Sequence, residues 1–325
     1  MAKMEISDLQ YEYQQHSVNF EKLRLLVINE FNELLLNNKV KLGFPIQSRI
    51  KSIESIIEKQ ESKRFTIKKS LLELQDIIGI RIVLLFKRDI EVVSKLINKH
   101  FDYINSYDPV DKLNHNQFGY SSKHYIVKIP NNWTNVPTNK NLGEYTLEIQ
   151  IRTLSQHNWA ETSNALQYKD EKNVPRQIAR SIGRVSALLE IIDLELERTL
   201  HDRDLYIEQI NKNIDQGQEL NIEIIKKVFN ERFTFLSNNS IERYSDIMSD
   251  LQYFNIYTIR DLNDILDQIV KIEGETIFFY ASSIQQWLDY PITEYQNMSS
   301  IVSTLLFSKD NTKYINMLNF LEDKM

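Results

Sequence analysis

The sequence predicts an α+β protein: a sheet with flanking helices over residues 1–212, its core at about 20–200, and an all-α part over 213–325. Three observations predict it. Tyr145, Leu147, Ile149 and Ile151 alternate with Thr146, Glu148, Gln150 and Arg152, the period of a half-buried strand. Between Leu71 and Phe86 a short helical turn runs into a β-branched apolar run, a second strand. Elsewhere apolar residues recur at spacings of three and four, and seven glycines and six prolines in 325 residues are few for a turn-rich β architecture.

Composition bounds the function. Hydrophobic residues at 42% and charged residues at 26% are ordinary for a globular protein long enough for two cores. With no cysteine there is neither a disulfide framework nor a thiolate metal site, which fits the cytoplasm. A formal charge of −6 argues against a global attraction for nucleic acid and leaves room for local basic patches. No signal-like N-terminus and no apolar run near the roughly 20 residues of a membrane span is present.

Taken in order, Ile6 to about Leu36 reads as a helix whose buried side carries Leu23, Val27, Phe31 and Leu34 or Leu35, stopped by Gly43 and Pro45. The next stretch gathers Arg49, Lys51, Ser52, Ser55, Lys59, Lys63 and Arg64. Ile53, Ile56 and Ile57 can anchor a helix there, with Ser52, Ser55 and Lys59 on one side. Such a face is either a solvated basic helix or a holder of polyphosphate, whose oxygens suit cations and hydroxyls. Asp76 precedes the β-branched strand, Gly79 permits a close approach of the backbone, and Arg81 is the lone charge in an apolar run. A buried arginine needs a partner or a stacked ligand. Asp89 to Phe101 is an amphipathic helix.

Tyr103 to His115 reads as polar and turn-like. Gly119 then permits a tight turn with Tyr120 at its tip, and His124, Ile126 and Lys128 share one side of a following strand. Tyr120 either packs on the domain or offers its ring to a base. Pro130 to Gly143 is a hairpin or loop into the strand at Tyr145. That strand's second face carries Glu148, Gln150 and Arg152 about 7 Å apart per step. Thr153 can cap a helix from Leu154, in which His157 and Glu161 share a face.

After Lys169, Pro175 opens a helix of roughly 30 residues. Its expected buried stripe is Ile178, Ile182, Val185, Leu188, Leu189, Ile192 and Leu196. The His201 to Asp204 run has no second histidine at ligand spacing and reads as a helix end. Beyond Gln216 only helices are expected, among them Ile222 to Leu236, Ser240 to Phe254, Thr258 to Glu273 and Thr276 to Leu288.

In order, the motifs are Arg49-x-Lys51-x-x-x-Ser55-x-x-x-Lys59, Asp76-x-x-Gly79-x-Arg81, Gly119-Tyr120-x-Ser122-x-His124, and Glu148-x-Gln150-x-Arg152-Thr153 leading to His157-x-Trp159-Ala160-Glu161. This order resembles the synthetase domain of the RelA/SpoT family, the guanosine tetra- and pentaphosphate synthetases. The resemblance implies a nucleotidyltransferase-like mixed sheet of about five strands. It implies transfer of pyrophosphate from ATP to the 3′-hydroxyl of GDP or GTP, with release of AMP. It also implies that Arg49 and Arg81 sandwich the adenine and that Lys51, Ser55 and Lys59 hold the ATP phosphates. Asp76 and Glu148 would bind magnesium, with Glu148 the base. Tyr120 would stack on guanine, with His124, Gln150 and His157 near the acceptor nucleotide.

Two departures stand against the family pattern: Ser121 occupies a position where many small synthetases carry arginine, and Gln117 one that is commonly basic. They motivate an alternative, a relative that pyrophosphorylates the 3′ end of tRNA. A catalytically silent nucleotide-binding module is a further one. No HD-x-x-E-D motif is present and no hydrolase domain fits before Arg49, so alarmone hydrolysis is not expected. The oligomeric state is left open by the sequence, a homo-oligomer included.

Overall fold

The structure is a computed structural model that describes residues 3–108, 122–166, 175–212, 215–233, 243–267, 269–273, 276–281, 286–291 and 298–322. The chain forms two compact units, Met1–His201 and Asp202–Met325. The division falls inside a long helix, ahead of the boundary expected after Lys212.

The first unit is built on a five-stranded sheet. Its strands are β1 (Gln47–Ile50), β2 (Ile78–Leu84), β3 (Asp102–Tyr107), β4 (Lys123–Lys128) and β5 (Leu147–Thr153), in the order β1-β2-β5-β4-β3. Only β2 and β5 run parallel; the other pairs are antiparallel. The sheet is therefore mixed, with the strand count the family resemblance implies.

One face is apolar because Ile78, Ile80 and Ile82 of β2 stand beside Leu147, Ile149 and Ile151 of β5 in register, all buried. Against this face packs the first helix, α1 (Ile6–Asn37), whose Phe20, Leu23, Val27, Phe31 and Leu35 are buried at helical spacing. Val93, Leu96 and Ile97 of α3 (Arg88–His100) join the same core. Burial of each such side chain is worth about 1.5–3 kcal/mol. Tyr145, just before β5, is fully buried, and its hydroxyl meets His16 Nδ1 at 2.8 Å and Asn19 at 3.0 Å, which ties the sheet to α1.

Short helix α2 (Ile53–Glu61) follows β1 and is capped by Ser52, whose hydroxyl accepts the Ser55 N–H. Between α2 and β2 lies the expected helical turn, a 3₁₀ segment at Leu71–Glu73. After β5 comes α4 (Leu154–Leu166), where Thr153 and Gln156 bond each other reciprocally: Gln156 N–H to Thr153 Oγ1 at 3.1 Å, Thr153 N–H to Gln156 Oε1 at 2.8 Å. The arrangement is a capping box.

Three expectations are corrected. Asp102–Tyr107 lies in the stretch read as turn-like and is strand β3; every residue in it is exposed, so no alternation marks it. The long helix α5 (Arg176–Lys212) forms, yet of its expected buried stripe only Ile182 is buried, while Ile178, Val185, Leu188, Ile192 and Leu196 are exposed. A polar line faces inward instead: Ser186 and Asp193 are buried, Thr153 Oγ1 donates to Asp193 Oδ2 at 2.6 Å, and Arg88 pairs with Glu197 at 2.6 Å. Spacing identifies which side of a helix is apolar, not which side meets the protein.

The third correction concerns the second unit, which is not all-α. Its helices α6 (Ile222–Arg232), α7 (Tyr244–Tyr253), α8 (Ile259–Leu266), α9 (Met298–Lys309) and α10 (Asn311–Glu322) are joined by an antiparallel sheet, β6 (Ile269–Glu273), β7 (Thr276–Ala281) and β8 (Gln286–Pro291). That sheet replaces the end of the helix expected over Thr258 to Glu273, which forms over Ile259–Leu266 as α8, and most of the one expected over Thr276 to Leu288. Ile269, Val270, Ile272, Ile277, Phe278, Phe279 and Tyr280 are β-branched or aromatic, the types that pleated strands favour. The helical core gathers Ile224, Phe229, Leu251, Leu262, Leu266, Ile301 and Leu305. Among the described residues no helix is long and apolar enough to cross a membrane.

Candidate active site

The second face of the five-stranded sheet is polar, and the strand register sets its order. One row runs Gln47, Arg81, Gln150, His124 and Tyr107 across all five strands. The neighbouring row holds Arg49, Gly79 and Glu148. Partners in register point to the same side of a sheet. The centre of this face is not solvated: Glu148 is 6% exposed, Gln150 9% and Arg152 9%. Burying an acid, an amide and a guanidinium is costly unless each is satisfied, so their partners define what the face can do.

Glu148 is held by three donors. Oε1 accepts from Tyr107 Oη at 2.7 Å and from His124 Nδ1 at 2.8 Å, and Oε2 accepts from Gln150 Nε2 at 2.8 Å. His124 Nε2 lies 2.8 Å from Ser122 Oγ, and the Tyr107 ring stacks on the imidazole at 4.7 Å. Burial alone would raise the Glu148 carboxyl, but the bonds from His124, Tyr107 and Gln150 outweigh it and hold the group at about 2. Burial and the bond to Glu148 push the Tyr107 phenol up.

A carboxyl depressed in the folded state stabilises the fold above its unfolded value of 4.5, and that contribution is lost as pH falls through about 2. The contribution is on the order of 3 kcal/mol. Urea unfolding of wild type and Glu148→Gln between about pH 6 and 3 should therefore show the stability gap closing as pH falls.

Asp76 lies just before β2 and forms the second cluster. Oδ2 accepts from Lys51 Nζ and, at 2.9 Å, from Lys59 Nζ. Burial would raise its carboxyl, but the two lysines prevail and keep it below the usual range. Burial lowers Lys51, against the pull of Asp76. Asp76 Oδ1 is buried and has no hydrogen-bond partner. Lys51 immediately precedes the Ser52 cap, so the first-turn N–H groups of α2, with Ser55, stand beside the lysines, a setting that favours anions. The charges of Glu148 and, more weakly, of Asp76 also raise the Tyr107 phenol.

A cleft of about 230 Å³ opens next to these clusters, lined by Gln47, Ser48, Arg49, Gly79, Ile80, Arg81, Gln150 and Glu161. A Cβ on Gly79 would stand 3.6 Å from Arg49 Cγ and 3.8 Å from Nε, so the Arg49 side chain lies over a bare stretch of backbone. Arg81 is anchored by Nη1 donating to Glu161 at 2.7 Å and to Gln47 at 3.2 Å, while its buried Nε has no partner. Arg152 Nη2 donates to Gln150 Oε1 at 3.0 Å. Burial and the nearby charge of Arg81 bring Arg152 to about 10, still protonated at neutral pH. His157 is lowered by burial and by Arg81, and its Nδ1 is buried without a partner.

Sequence motifs from distant parts of the chain thus form three neighbouring groups. Lys51, Ser55, Lys59 and Asp76 make one, Glu148, Gln150 and His124 a second, and Arg49 and Arg81 line the cleft with Gln150. His157 sits near Arg81 and Arg152 in the first turn of α4. Tyr120, with Gly119, Gln117 and Ser121, lies outside the described residues. Tyr107 and Gln47 were not anticipated: both lie on edge strands, where exposure removes the periodic signal. Among the described residues there is no group of three or more histidine, aspartate or glutamate side chains that could hold a metal ion.

The family described as "Region found in RelA / SpoT proteins" matches residues 48–173, the span that carries every group above except Gln47. Two proteins of Bacillus subtilis (strain 168) are similar: the GTP pyrophosphokinase YjbM, 30% identical over 153 residues that cover 46% of this chain and 69% of that protein, and the GTP pyrophosphokinase YwaC, 30% identical over 175 residues that cover 52% and 77%. A GTP pyrophosphokinase family protein from Streptococcus pneumoniae, 24% identical, superposes over 59% of this chain and 94% of its own with a TM-score of 0.50, which shows a shared fold. The ordered motifs, the sheet they occupy and the extent of these matches agree, and the chain belongs to the RelA/SpoT family.

Proposed function

We propose that this chain transfers the terminal pyrophosphate of ATP to the 3′-hydroxyl of a guanosine nucleotide, GDP or GTP, and releases AMP. The observation that carries the reading is the placement of a buried, ionised Glu148 beside both a lysine-rich cluster and an arginine-lined cleft on one sheet face. The names of the two Bacillus subtilis relatives accord with it.

In this reaction the acceptor oxygen attacks the β-phosphorus of ATP. The bond from that phosphorus to the oxygen bridging the α-phosphate breaks, and its electron pair leaves with AMP. The hydroxyl proton passes to Glu148. Oε2 is the fitting atom, since it accepts only from Gln150 whereas Oε1 is already occupied by Tyr107 and His124. Arg49 and Arg81 offer guanidinium faces to the adenine, Lys51, Lys59 and the start of α2 meet the phosphates, and His124, Gln150 and His157 face the acceptor. Phosphoryl-type transfer needs chiefly such positioning and charge neutralisation.

Magnesium fits this set. The orphaned Asp76 Oδ1 is a hard oxygen donor, and Glu148 is the second carboxylate. One or two carboxylates suffice when phosphates and water complete the shell. Bound there, the ion would neutralise charge on the transferred phosphates.

The test supplies magnesium and ATP labelled on the β-phosphate, with GDP, GTP or bulk tRNA as acceptor. Label is expected in a 3′-pyrophosphorylated guanosine nucleotide. Label in tRNA alone, or in no acceptor, would overturn the proposal.

A further inference from the structure

We infer that Glu161, with Gln47, reads the edge of the donor nucleotide's base and selects adenine over a 6-keto purine. The inference rests on the cleft being the donor site, as proposed above. Stacking between guanidinium faces holds any purine ring, because every base offers a π-face. Arg49 and Arg81 therefore do not by themselves distinguish ATP from GTP. Selection has to come from groups that meet the ring's edge.

The strand register fixes where that edge lies. Gln47 pairs with Arg81, Arg49 with Gly79, and the Lys51 N–H bonds the Ile77 carbonyl. From Gln47 to Lys51 the chain advances about 13 Å at strand rise. The lysines and Asp76 mark the phosphate end, and Gln47, Arg81 and Glu161 mark the other. A carboxylate at that far end repels phosphates, which reinforces the same polarity.

The chemistry of the far end is specific. Glu161 Oε1 accepts from Arg81 Nη1, a bond that lies in the guanidinium plane and leaves the face free for stacking. Its Oε2 accepts from no protein group among the described residues. Gln47 Oε1 likewise accepts from Arg81, which leaves the Gln47 amide N–H₂ as a donor. Gln150 is engaged at both ends, its Oε1 by Arg152 and its Nε2 by Glu148, and in register it stands on the other side of Arg81 from Gln47. The cleft thus offers one acceptor-only group beside one donor. Adenine presents an N6 amine beside a ring-nitrogen acceptor and matches both; guanine and hypoxanthine in the same pose turn O6 toward the carboxylate and N1–H toward the amide, acceptor on acceptor and donor on donor, and match only if Glu161 and Gln47 exchange places, which their common anchor on Arg81 Nη1 opposes.

The experiment is equilibrium competition of ATP, GTP and ITP against a fluorescent ATP analogue, for wild type, Glu161→Gln and Gln47→Leu. Wild type is expected to favour ATP over both keto nucleotides by roughly tenfold to a hundredfold. In Glu161→Gln the preference should shrink about tenfold, because a glutamine amide can turn its N–H₂ toward O6. Gln47→Leu should weaken ATP more than GTP or ITP. If Glu161→Gln weakens all three nucleotides alike, Glu161 only holds Arg81 and the inference fails. An unchanged preference also overturns it. Label transfer in the acceptor assay with a preference indifferent to Glu161 removes this inference alone, whereas a Glu161-dependent preference without label transfer removes the proposed reaction and leaves the base reading standing.

Discussion

Glu148→Gln is expected to lower pyrophosphate transfer about 10³-fold in kcat while moving the KM of either nucleotide by no more than about threefold. The side chains differ by one atom, so shape and most packing survive. Charge does not. The wild-type carboxylate collects three donors, and two of them, Tyr107 and His124, converge on a single oxygen. A glutamine keeps one carbonyl oxygen for that role and turns its amide N–H₂ toward the Gln150 amide, so it can neither accept the hydroxyl proton nor neutralise cations nearby. A carboxyl held at about 2 is a weak base at rest. Its service lies in fixing the hydroxyl's direction and in taking the proton late, once the oxygen has begun to bond phosphorus. The expected stability loss at neutral pH is on the order of 3 kcal/mol, so kcat must be measured on protein shown folded by circular dichroism at the assay temperature. A folded variant retaining more than about a tenth of wild-type kcat would remove Glu148 from the base role.

What the sequence made legible follows a physical rule. Elements with one apolar side were visible: α1, β2, α3 and β5 carry apolar side chains at a clean period, so the centre of the sheet could be anticipated, while its count of five strands came from the family resemblance. Elements that are short or exposed were not. Strand β1 spans only Gln47–Ile50, and β3 exposes every side chain, so neither leaves a pattern. In the second unit, β-branched and aromatic residues outweighed a helical spacing that chance had supplied. The outward stripe of α5 shows the converse, a clean period whose apolar side is not the buried one. Within the site, residue types at fixed spacing located Arg49, Lys51, Ser55, Lys59, Asp76, Arg81 and Glu148. Partnerships were less visible. Glu161 was placed on one helix face with His157, but its bond to Arg81 spans 80 positions of sequence, which only a register between β2 and β5 brings together.

Asp76→Asn carries the second large effect, and its two parts have opposite signs. Asp76 is the counterion of Lys51 and Lys59. ATP must displace that carboxylate from both ammonium groups and place its own phosphates beside an anion. Removing the charge frees two cations and removes a repulsion. Near a protein surface, unit charges at about 4 Å interact by roughly 4 kcal/mol before solvation costs offset most of it. A net gain of about tenfold in metal-free ATP affinity is a restrained expectation. Turnover should move the other way. Asparagine keeps an oxygen where the unpartnered Oδ1 now lies but brings no charge to hold a divalent cation there. Transfer should fall about 10³-fold, and part of that loss should return at high magnesium concentration. Titration calorimetry in chelator, set against initial rates over a magnesium series, reads both parts. Weaker metal-free binding in Asp76→Asn would show that Asp76 holds the lysines in place for the phosphates. Tighter binding together with lost, magnesium-responsive turnover would assign Asp76 both as the counterion of the two lysines and as a carboxylate that would hold a divalent cation.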